Sequence, residues 1–269
     1  MALRLISSGG PTMARALWSG AIAFGLVNIP VKLYGATETK DLSFTTLHAT
    51  CMTALKRPYI CPKDNVPVDS KEMVKGFEYA KGQYVILKDE DFEKIPLEAT
   101  KALEVAGFVD ATEISPLYRE RNYYLGPEEI SLKPFELFRQ ALMRTGKVAL
   151  ARAVLWKKEQ LVAISPFNGS LVLTTLMYQD EVKPPPEPPA TRPVVISDAE
   201  IDLALQLIKT LATEFDPSKF RDRYRDALMA LIQAKVEGKE LPSVTKVETR
   251  PTQDLMAALK ASLEAAKAS

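Results

Sequence analysis

The sequence predicts a mixed, mainly β fold, in which a barrel or sandwich of short strands is followed by a helical C-terminal region. Before residue 183, apolar residues come in short runs rich in β-branched and aromatic side chains, and turn signals separate the runs. After residue 193, apolar residues recur at helical spacing instead. Strands with few intervening helices favour a barrel or sandwich over an alternating α/β sheet.

The predicted strands share short length and β-rich composition. They include residues 20–34, 83–87, 103–110, 121–125, 147–155, 161–165 and 170–178. The stretch of residues 15–34 shows no polar alternation, which predicts one strand buried on both faces, with Gly20 and Gly25 allowing a bend or a close neighbour. The turn signal at residues 165–169 predicts a hairpin, and one helix, Pro134–Arg144, is predicted from apolar residues at helical spacing.

A proline-rich run, residues 183–193, marks the clearest boundary. Its six prolines favour extended polyproline II, which cannot join a sheet ladder. The predicted organisation is a disordered extension (1–12, with Met13 as an alternative start), a core with an inserted segment (13–182), the proline-rich linker (183–193), a helical arm (194–240) and a tail with an amphipathic helix (241–269).

The arm and tail carry helix signals. Ser197 with Glu200 three residues later predicts a capping box, followed by an apolar stripe that includes Ile201, Leu205 and Ile208. Asp216-Pro217 predicts a second helix start, and Gly238 predicts its stop. A last helix is predicted over residues 252–266.

Composition excludes several classes of protein. With 46% hydrophobic and 26% charged residues, the 269-residue chain is typical of a globular protein. No apolar run approaches the roughly 18–20 residues of a membrane span, so no membrane association is expected. Two cysteines are too few for a disulfide framework, which fits a reducing cytoplasm. No catalytic signature is present, and the single histidine, His48, would have to serve any Ser-His-Asp or Cys-His mechanism, which argues against hydrolase chemistry.

Charge is distributed in blocks although its total is only +1. Residues 1–63 carry seven basic against two acidic residues, residues 64–129 eight against fifteen, and residues 130–158 seven against one. Such blocks can form a cationic face that binds a polyanion. The alternative is ordinary solvated surface with local imbalance.

His48, Cys51, Cys61 and Asp64 form the pattern H-x2-C-x9-C-x2-D. Two ligand pairs with two-residue spacers are typical of the knuckles that close a tetrahedral zinc site. A zinc ion here would staple a loop and perform no chemistry, since four protein ligands leave no open position. The alternative is that both cysteines are small packing residues and His48 is a polar turn residue. No other cofactor is predicted.

Six blocks of sequence, in order from Met13 to Ala268, carry a family resemblance. They are RALWSGAIAFGLVNIPVKLY; LHATC with YICPKD and VKGFEYAKGQYVILKDEDF; ISPLYRERNYYLGP; FRQALMRTGKVALARAVLWKKEQLVAISPFNGSLVLTTLMYQDEV; FRDRYRDALMALIQAKVEGK; and DLMAALKASLEAAK. These blocks resemble the bacterial Ku proteins, the DNA-end-binding component of non-homologous end joining. The resemblance covers nearly the whole chain.

The resemblance implies a Ku-type β-barrel with an inserted bridge, which closes as a homodimer into a ring around double-stranded DNA. It implies a non-catalytic protein of the bacterial cytoplasm, associated with the nucleoid, that recruits and stimulates an ATP-dependent DNA ligase, ligase D. The chain lacks the von Willebrand-type N-terminal domain of larger relatives and the lysine-rich C-terminal extension of others, so tail-dependent DNA binding is not expected.

Under this resemblance the basic blocks supply candidate DNA contacts, of which about half are expected to touch DNA. They are Lys56, Arg57, Lys63, Arg119, Arg121, Lys133, Arg144, Lys147, Arg152, Lys157 and Lys158. The apolar stripe of the last helix, Leu255, Met256, Leu259 and Leu263, is the candidate ligase-binding surface. Alternatively, that stripe packs on its own subunit. Two rival functions are a zinc-dependent enzyme and a zinc-stabilised protein-interaction scaffold without DNA-end specificity.

Overall fold

A computed structural model of the chain describes residues 15–94, 101–186, 196–239 and 255–268. Its strands are β1 (Trp18–Phe24), β2 (Val27–Gly35), β3 (Tyr59–Ile60), β4 (Pro67–Val68), β5 (Lys75–Ala80), β6 (Gln83–Leu87), β7 (Ala102–Asp110), β8 (Arg119–Pro127), β9 (Lys147–Leu155), β10 (Lys158–Phe167) and β11 (Ser170–Leu176). Seven of them close into a barrel in the order β1-β2-β8-β11-β10-β9-β7. The mainly β prediction is confirmed, and of its two alternatives the barrel is correct.

Residues 20–34 form a hairpin, so the prediction of one strand buried on both faces is wrong. Gly25 takes a left-handed conformation (φ 56°), and the chain turns there between β1 and β2. Along β2 the buried residues alternate with more accessible ones. The alternation was hidden because many of the more accessible residues are themselves apolar. The predicted close approach at Gly20 is confirmed, because a β-carbon there would collide with the Trp18 ring and the Lys101 carbonyl.

Helix α2 fills the barrel end at which β1 turns into β2. It spans Leu132–Thr145, slightly longer than predicted, and ends before Gly146, which is left-handed (φ 65°). Its buried side chains, Phe135, Phe138 and Leu142, belong to the same core cluster as the inward-facing barrel residues. The rings of Phe24 and Phe138 lie 5.1 Å apart.

The segment between β2 and β7, residues 36–101, is the bridge segment. It contains the β3–β4 and β5–β6 hairpins and the short helix α1 (Asp89–Glu93). Nearly all of its described side chains are exposed. An inserted segment, as the resemblance implies, is therefore present between two barrel strands, and it consists of small elements that bury few side chains.

Residues 185–269 group with residues 41–43 into a second unit. It contains α3 (Asp198–Leu211), α4 (Arg223–Val236) and α5 (Leu255–Ala268), and α3 packs against α5. The capping box is confirmed, because the Ser197 hydroxyl accepts from the Glu200 amide at 3.3 Å and the Glu200 carboxylate accepts from the Ser197 amide at 2.7 Å. The predicted stop at Gly238 is also confirmed, since that glycine is left-handed (φ 70°) directly after α4.

The predicted helix start at Asp216-Pro217 is wrong in extent. Asp216 caps a single 3₁₀ turn, Pro217–Lys219, and α4 begins only at Arg223. The reason is a second N-cap, since Asp222 accepts from the Arg225 amide at 2.9 Å. The predicted extension 1–12, most of the linker and residues 240–254 of the tail lie outside the described residues. Within the described parts of the chain, no helix is long and apolar enough to cross a membrane.

Candidate nucleic-acid interface

The bridge segment leaves the barrel and returns to it at the same end, here called the bridge end. It leaves after Gly35, which pairs with Tyr123 at the middle of β8, and β2 runs toward the start of β8 because the two strands are antiparallel. It returns at Ala102, which pairs with Ala21 on β1. The strand registers place the end of β9, the start of β10 and the end of β11 at this same end. Any basic residue at these strand termini therefore lies at the barrel end where the bridge segment is attached.

Five of the predicted DNA-contacting residues lie on the strands near the bridge end. They are Arg119 and Arg121 at the start of β8, Arg152 near the end of β9, and Lys157 and Lys158 at the β9–β10 turn. All five are exposed. Cations from two separate segments of the sequence, residues 119–121 and 152–158, are thus brought together by strand pairing.

The β9–β10 turn has an unusual backbone. Leu155 pairs with Lys158, so Trp156 and Lys157 form a two-residue turn, and both are left-handed (φ 50° and 67°). Turns of this kind favour Asn-Gly, and side chains such as tryptophan and lysine adopt this conformation at a cost of about 1–2 kcal/mol per residue. The Trp156 ring packs 5.2 Å from the ring of Tyr123. The turn presents two adjacent exposed lysines at the bridge end.

The charge of this turn acts on the returning part of the bridge segment. The pKa of the Asp89 carboxyl, at the start of α1, is lowered mainly by its hydrogen bond with Lys75, and further by the charge of Lys157. Lys157 forms no ion pair within the parts of the chain that the structure describes. Its charge is available to an external anion.

The other cations at the bridge end have internal contacts of differing strength. Arg119 donates to the carbonyls of Ala111 and Ile114, at 3.2 and 3.4 Å, and so holds the β7–β8 loop. Arg121 lies 3.8 Å from Glu120, and Lys158 lies 3.5 Å from Glu181. These two ion pairs are solvent-exposed and therefore weak, so phosphate can compete with the carboxylates.

Three predicted residues lie at the opposite end of the barrel. Lys133 and Arg144 are exposed on α2, and Lys147 begins β9, where it pairs with Asp110 at 2.9 Å. Lys56, Arg57 and Lys63 form a third group, exposed in the bridge segment. The predicted residues therefore occupy three separate regions instead of one surface.

Sequence reasoning missed Lys101, the last residue before β7. Its carbonyl accepts from the Ala21 amide at 2.8 Å, which fixes it at the bridge end, and its side chain is exposed. It follows an acidic stretch of sequence, so charge density along the chain gives no signal for it. Only the strand pairing identifies it as a neighbour of the β9–β10 turn.

Comparisons with known proteins agree with this architecture. The profile of the Ku70/Ku80 beta-barrel domain matches residues 23–203. The chain is 42% identical over 254 residues to the non-homologous end joining protein Ku of Archaeoglobus fulgidus, covering 94% of this chain and 100% of that protein. The chain belongs to the Ku family. The predicted family resemblance is confirmed.

Other relatives carry the same name. Identity is 45% over 257 residues with Ku of Symbiobacterium thermophilum, covering 94% of this chain and 64% of that protein. It is 38% over 253 residues with Ku of Bacillus subtilis, covering 92% of this chain and 81% of that protein. The chain thus spans less than two thirds of the Symbiobacterium relative and all of the Archaeoglobus one.

In this Ku-family chain the two halves of the proposed zinc site each form a compact knuckle. His48 Nδ1 lies 3.1 Å from Cys51 Sγ, and Cys61 Sγ donates to Asp64 Oδ2 at 3.5 Å. Hydrogen bonding with the Thr53 hydroxyl, and then with His48, lowers the pKa of the Cys51 thiol to about 7. Among the described residues, however, no three His, Cys, Asp or Glu side chains form one group able to hold a metal. His48 and Cys51 therefore form one close pair and Cys61 and Asp64 another, but the two pairs do not come together as one four-ligand site.

Zinc binding stays a prediction, and metal analysis of untagged protein tests it. About one zinc per chain is expected, lost in Cys51→Ser or Cys61→Ser together with a lower melting temperature, because structural zinc stabilises the fold that binds it. Thr46→Ala is the control, since this exposed threonine lies in the same segment and its side chain forms no hydrogen bond with a proposed ligand among the described residues. Zinc-free protein of unchanged stability would leave both cysteines as ordinary side chains.

The predicted ligase-binding stripe faces α3 in part. Leu263 is buried, at 8% exposure, and Met256 and Leu259 are half-buried. Leu255 begins α5, and its side chain is outside the description. The structure therefore places part of this stripe where the alternative interpretation put it, against the chain's own helix.

Proposed function

We propose that this Ku-family chain is a non-catalytic protein that binds double-stranded DNA ends without sequence specificity in non-homologous end joining at the nucleoid. The proposal is carried by one observation. The two points at which the bridge segment joins the barrel lie at the same barrel end as the exposed cations Arg121, Lys157 and Lys158. A segment that leaves and re-enters one barrel end can arch over a duplex, and these cations can then contact its phosphates.

Phosphate contacts suit a protein that must act on any broken end. Backbone phosphates are identical in every sequence, so contacts to them give affinity without sequence preference. Lys157 is the strongest candidate, because it has no ion pair within the described residues and its charge acts on Asp89 of the bridge segment. The names of the relatives, all Ku proteins of non-homologous end joining, support the same assignment.

We further propose that the chain acts as a homodimeric ring. The bridge segment exposes large apolar side chains, among them Phe77, Tyr79 and Tyr84 on the β5–β6 hairpin, at 61–63% exposure. An isolated two-stranded hairpin is only marginally stable in water. A second copy that covers these residues would stabilise the hairpin and close the ring, and twofold symmetry is the commonest arrangement for such a pair.

The salt dependence of DNA binding tests the phosphate contacts. Log affinity for linear duplex should fall linearly with log salt concentration, by about 0.9 for each phosphate neutralised. Replacing Lys157 and Lys158 together with alanine should make this slope shallower by about one to two and weaken binding to all sequences alike. Lys133→Ala, at the opposite barrel end, is the control. An unchanged slope in the double variant, with normal dimerisation, would remove this pair from the DNA surface.

Recruitment of an ATP-dependent ligase, ligase D, is the final part of the proposal. Helix α5 is amphipathic and docks on α3 through residues that include Leu263. An amphipathic helix held by one helix neighbour can exchange it for a groove on a partner. Residues 240–254, which precede α5, include two prolines and many polar side chains, a composition compatible with such release.

Truncation and substitution of α5 test the ligase contact. Deleting residues 250–269, or replacing Leu259 with glutamate, should reduce ligase recruitment in a pull-down by about tenfold and leave dimerisation and DNA-end binding nearly intact. Ala261→Glu, exposed on the same helix, is the matched control. Normal recruitment by the truncated chain, or loss of its fold, would show that α5 serves its own subunit only.

A further inference from the structure

An apolar groove of about 520 Å³ lies at the barrel end opposite the bridge end. Helix α2 forms one wall and the β1–β2 turn and β7 form the other. The principal lining residues are Phe24, Val27, Phe108, Leu137, Ala141 and Leu142. Ligand pockets in proteins commonly measure about 300–1,000 Å³, so this groove can receive several apolar side chains.

The groove continues onto an exposed apolar surface. Leu137 is 71% exposed, Phe108 48%, and Leu26 at the tip of the β1–β2 turn is fully exposed. Isolated exposed leucines are normal in proteins, but a contiguous apolar patch around a concave groove marks an interaction site. Leu26, Phe108 and Leu137 belong to neither buried core cluster of the barrel, so their exposure is not explained by packing within the single chain.

Cations border the same wall. Residues 133, 137, 141 and 144 are spaced by four, four and three along α2, so Lys133 and Arg144 bracket Leu137 and Ala141 on one helix face. Neither Lys133 nor Arg144 has an ion pair in the parts of the chain that the structure describes. Lys147, which also lines the groove, is paired with Asp110. The rim is therefore positively charged next to an apolar floor.

We propose that this groove binds an amphipathic segment of another protein, with apolar side chains that enter the groove and carboxylates that pair with Lys133 and Arg144. Recognition of a helix by an apolar groove uses anchors at i, i+3, i+4 and i+7. The proposal goes beyond DNA-end binding and assigns Lys133 and Arg144 to a protein partner in place of DNA.

The location of the groove favours a different protein over a second copy of this chain. The exposed apolar side chains proposed for dimerisation belong to the bridge segment, which joins the barrel at its other end. The groove is not continuous with those strand termini. Duplex DNA is also a poor occupant, because its phosphates would gain nothing from an apolar floor.

The test uses a fluorescein-labelled 15-residue helical peptide with leucines along one face and three glutamates at each end, titrated with the full-length dimer. Saturable binding is expected, and Leu137→Glu should weaken it by about tenfold or more. Leu132→Glu is the matched control, because Leu132 is an exposed leucine of the same helix that does not line the groove.

Charge reversal tests the rim separately from the floor. Lys133→Glu together with Arg144→Glu should weaken binding of the glutamate-flanked peptide by about tenfold. The same double variant should strengthen binding of a lysine-flanked version of the peptide. DNA-end binding should be unchanged in every variant. Equal binding of a scrambled peptide, or no saturable binding, would overturn the proposal. Conversion of the dimer to monomer by Leu137→Glu would also overturn it and assign the groove to a second copy. Failure of the wild-type chain to bind DNA would refute only the proposed function.

Discussion

Glutamate at both Phe77 and Val85 should convert the dimer to monomers and weaken binding to DNA ends by roughly 100-fold or more. These residues pair across β5 and β6 and lie on one face of the bridge hairpin, at 62% and 45% exposure in the single chain. If that face is buried between subunits, each substitution places a charge in an apolar contact, at a cost of about 2 kcal/mol or more. Sedimentation equilibrium at micromolar concentration measures the first effect, and titration of a linear duplex measures the second.

The control for this experiment is Ile130→Glu. Ile130 is 85% exposed at the opposite barrel end, so the same chemical change there should leave both the dimer and end binding intact. A double variant that stays dimeric would place the subunit interface elsewhere. A monomeric variant with undiminished end binding would contradict the need for a closed ring.

Strand boundaries were predictable where inward-facing apolar residues alternate with outward-facing ones and a turn residue marks the end of the strand. The predicted boundaries of β9, Lys147 and Leu155, match the structure, since Gly146 precedes the strand and the inward residues alternate. Residues 20–34 failed because the turn at Gly25 sits within an apolar run. Barrel closure through the parallel β1–β7 pair joins residues about 80 positions apart and leaves no local signal.

The sequence composition predicts that basic residues are concentrated in certain segments, but it does not predict where on the barrel these residues lie. The block of residues 130–158 contributes Lys157 and Lys158 to the bridge end, yet it also contributes Lys133 and Arg144 to the opposite end. Charge blocks cannot distinguish these groups, because the β9 strand carries the chain from one barrel end to the other. The internal contacts of Arg119 likewise depend on a loop that only the fold defines.

The face of α3 shows the same limit. Its predicted stripe, Ile201, Leu205 and Ile208, is 45–65% exposed, whereas Leu203 and Leu207 are half-buried. Apolar residues occupy a wide arc of this helix, so periodicity identifies an amphipathic helix without fixing which part of the arc packs within one chain. The remaining exposed leucine and isoleucines are further apolar surface available to another chain.

The second large effect expected is a preference for DNA with free ends. The protein should bind linear duplex at least about 100-fold more tightly than covalently closed circles of the same sequence and length. Both forms present the same phosphates at the same spacing, so the electrostatic contribution to affinity is nearly equal for them. A basic groove open on one side would bind both. Only a closed path around the duplex, formed by two barrels and two bridge segments, requires a free end for entry.

Blocking and reopening the ends makes this comparison quantitative. Streptavidin on biotin at both termini of the linear duplex should abolish loading, and a restriction cut that frees one end should restore it. Lys157→Ala with Lys158→Ala should lower affinity for the linear form without increasing the relative binding of circles, because it removes phosphate contacts and leaves the ring closed. Equal retention of circular and linear DNA by wild-type dimer would mean that the bridge segment does not encircle the duplex, and that the cations at its feet form an ordinary open groove.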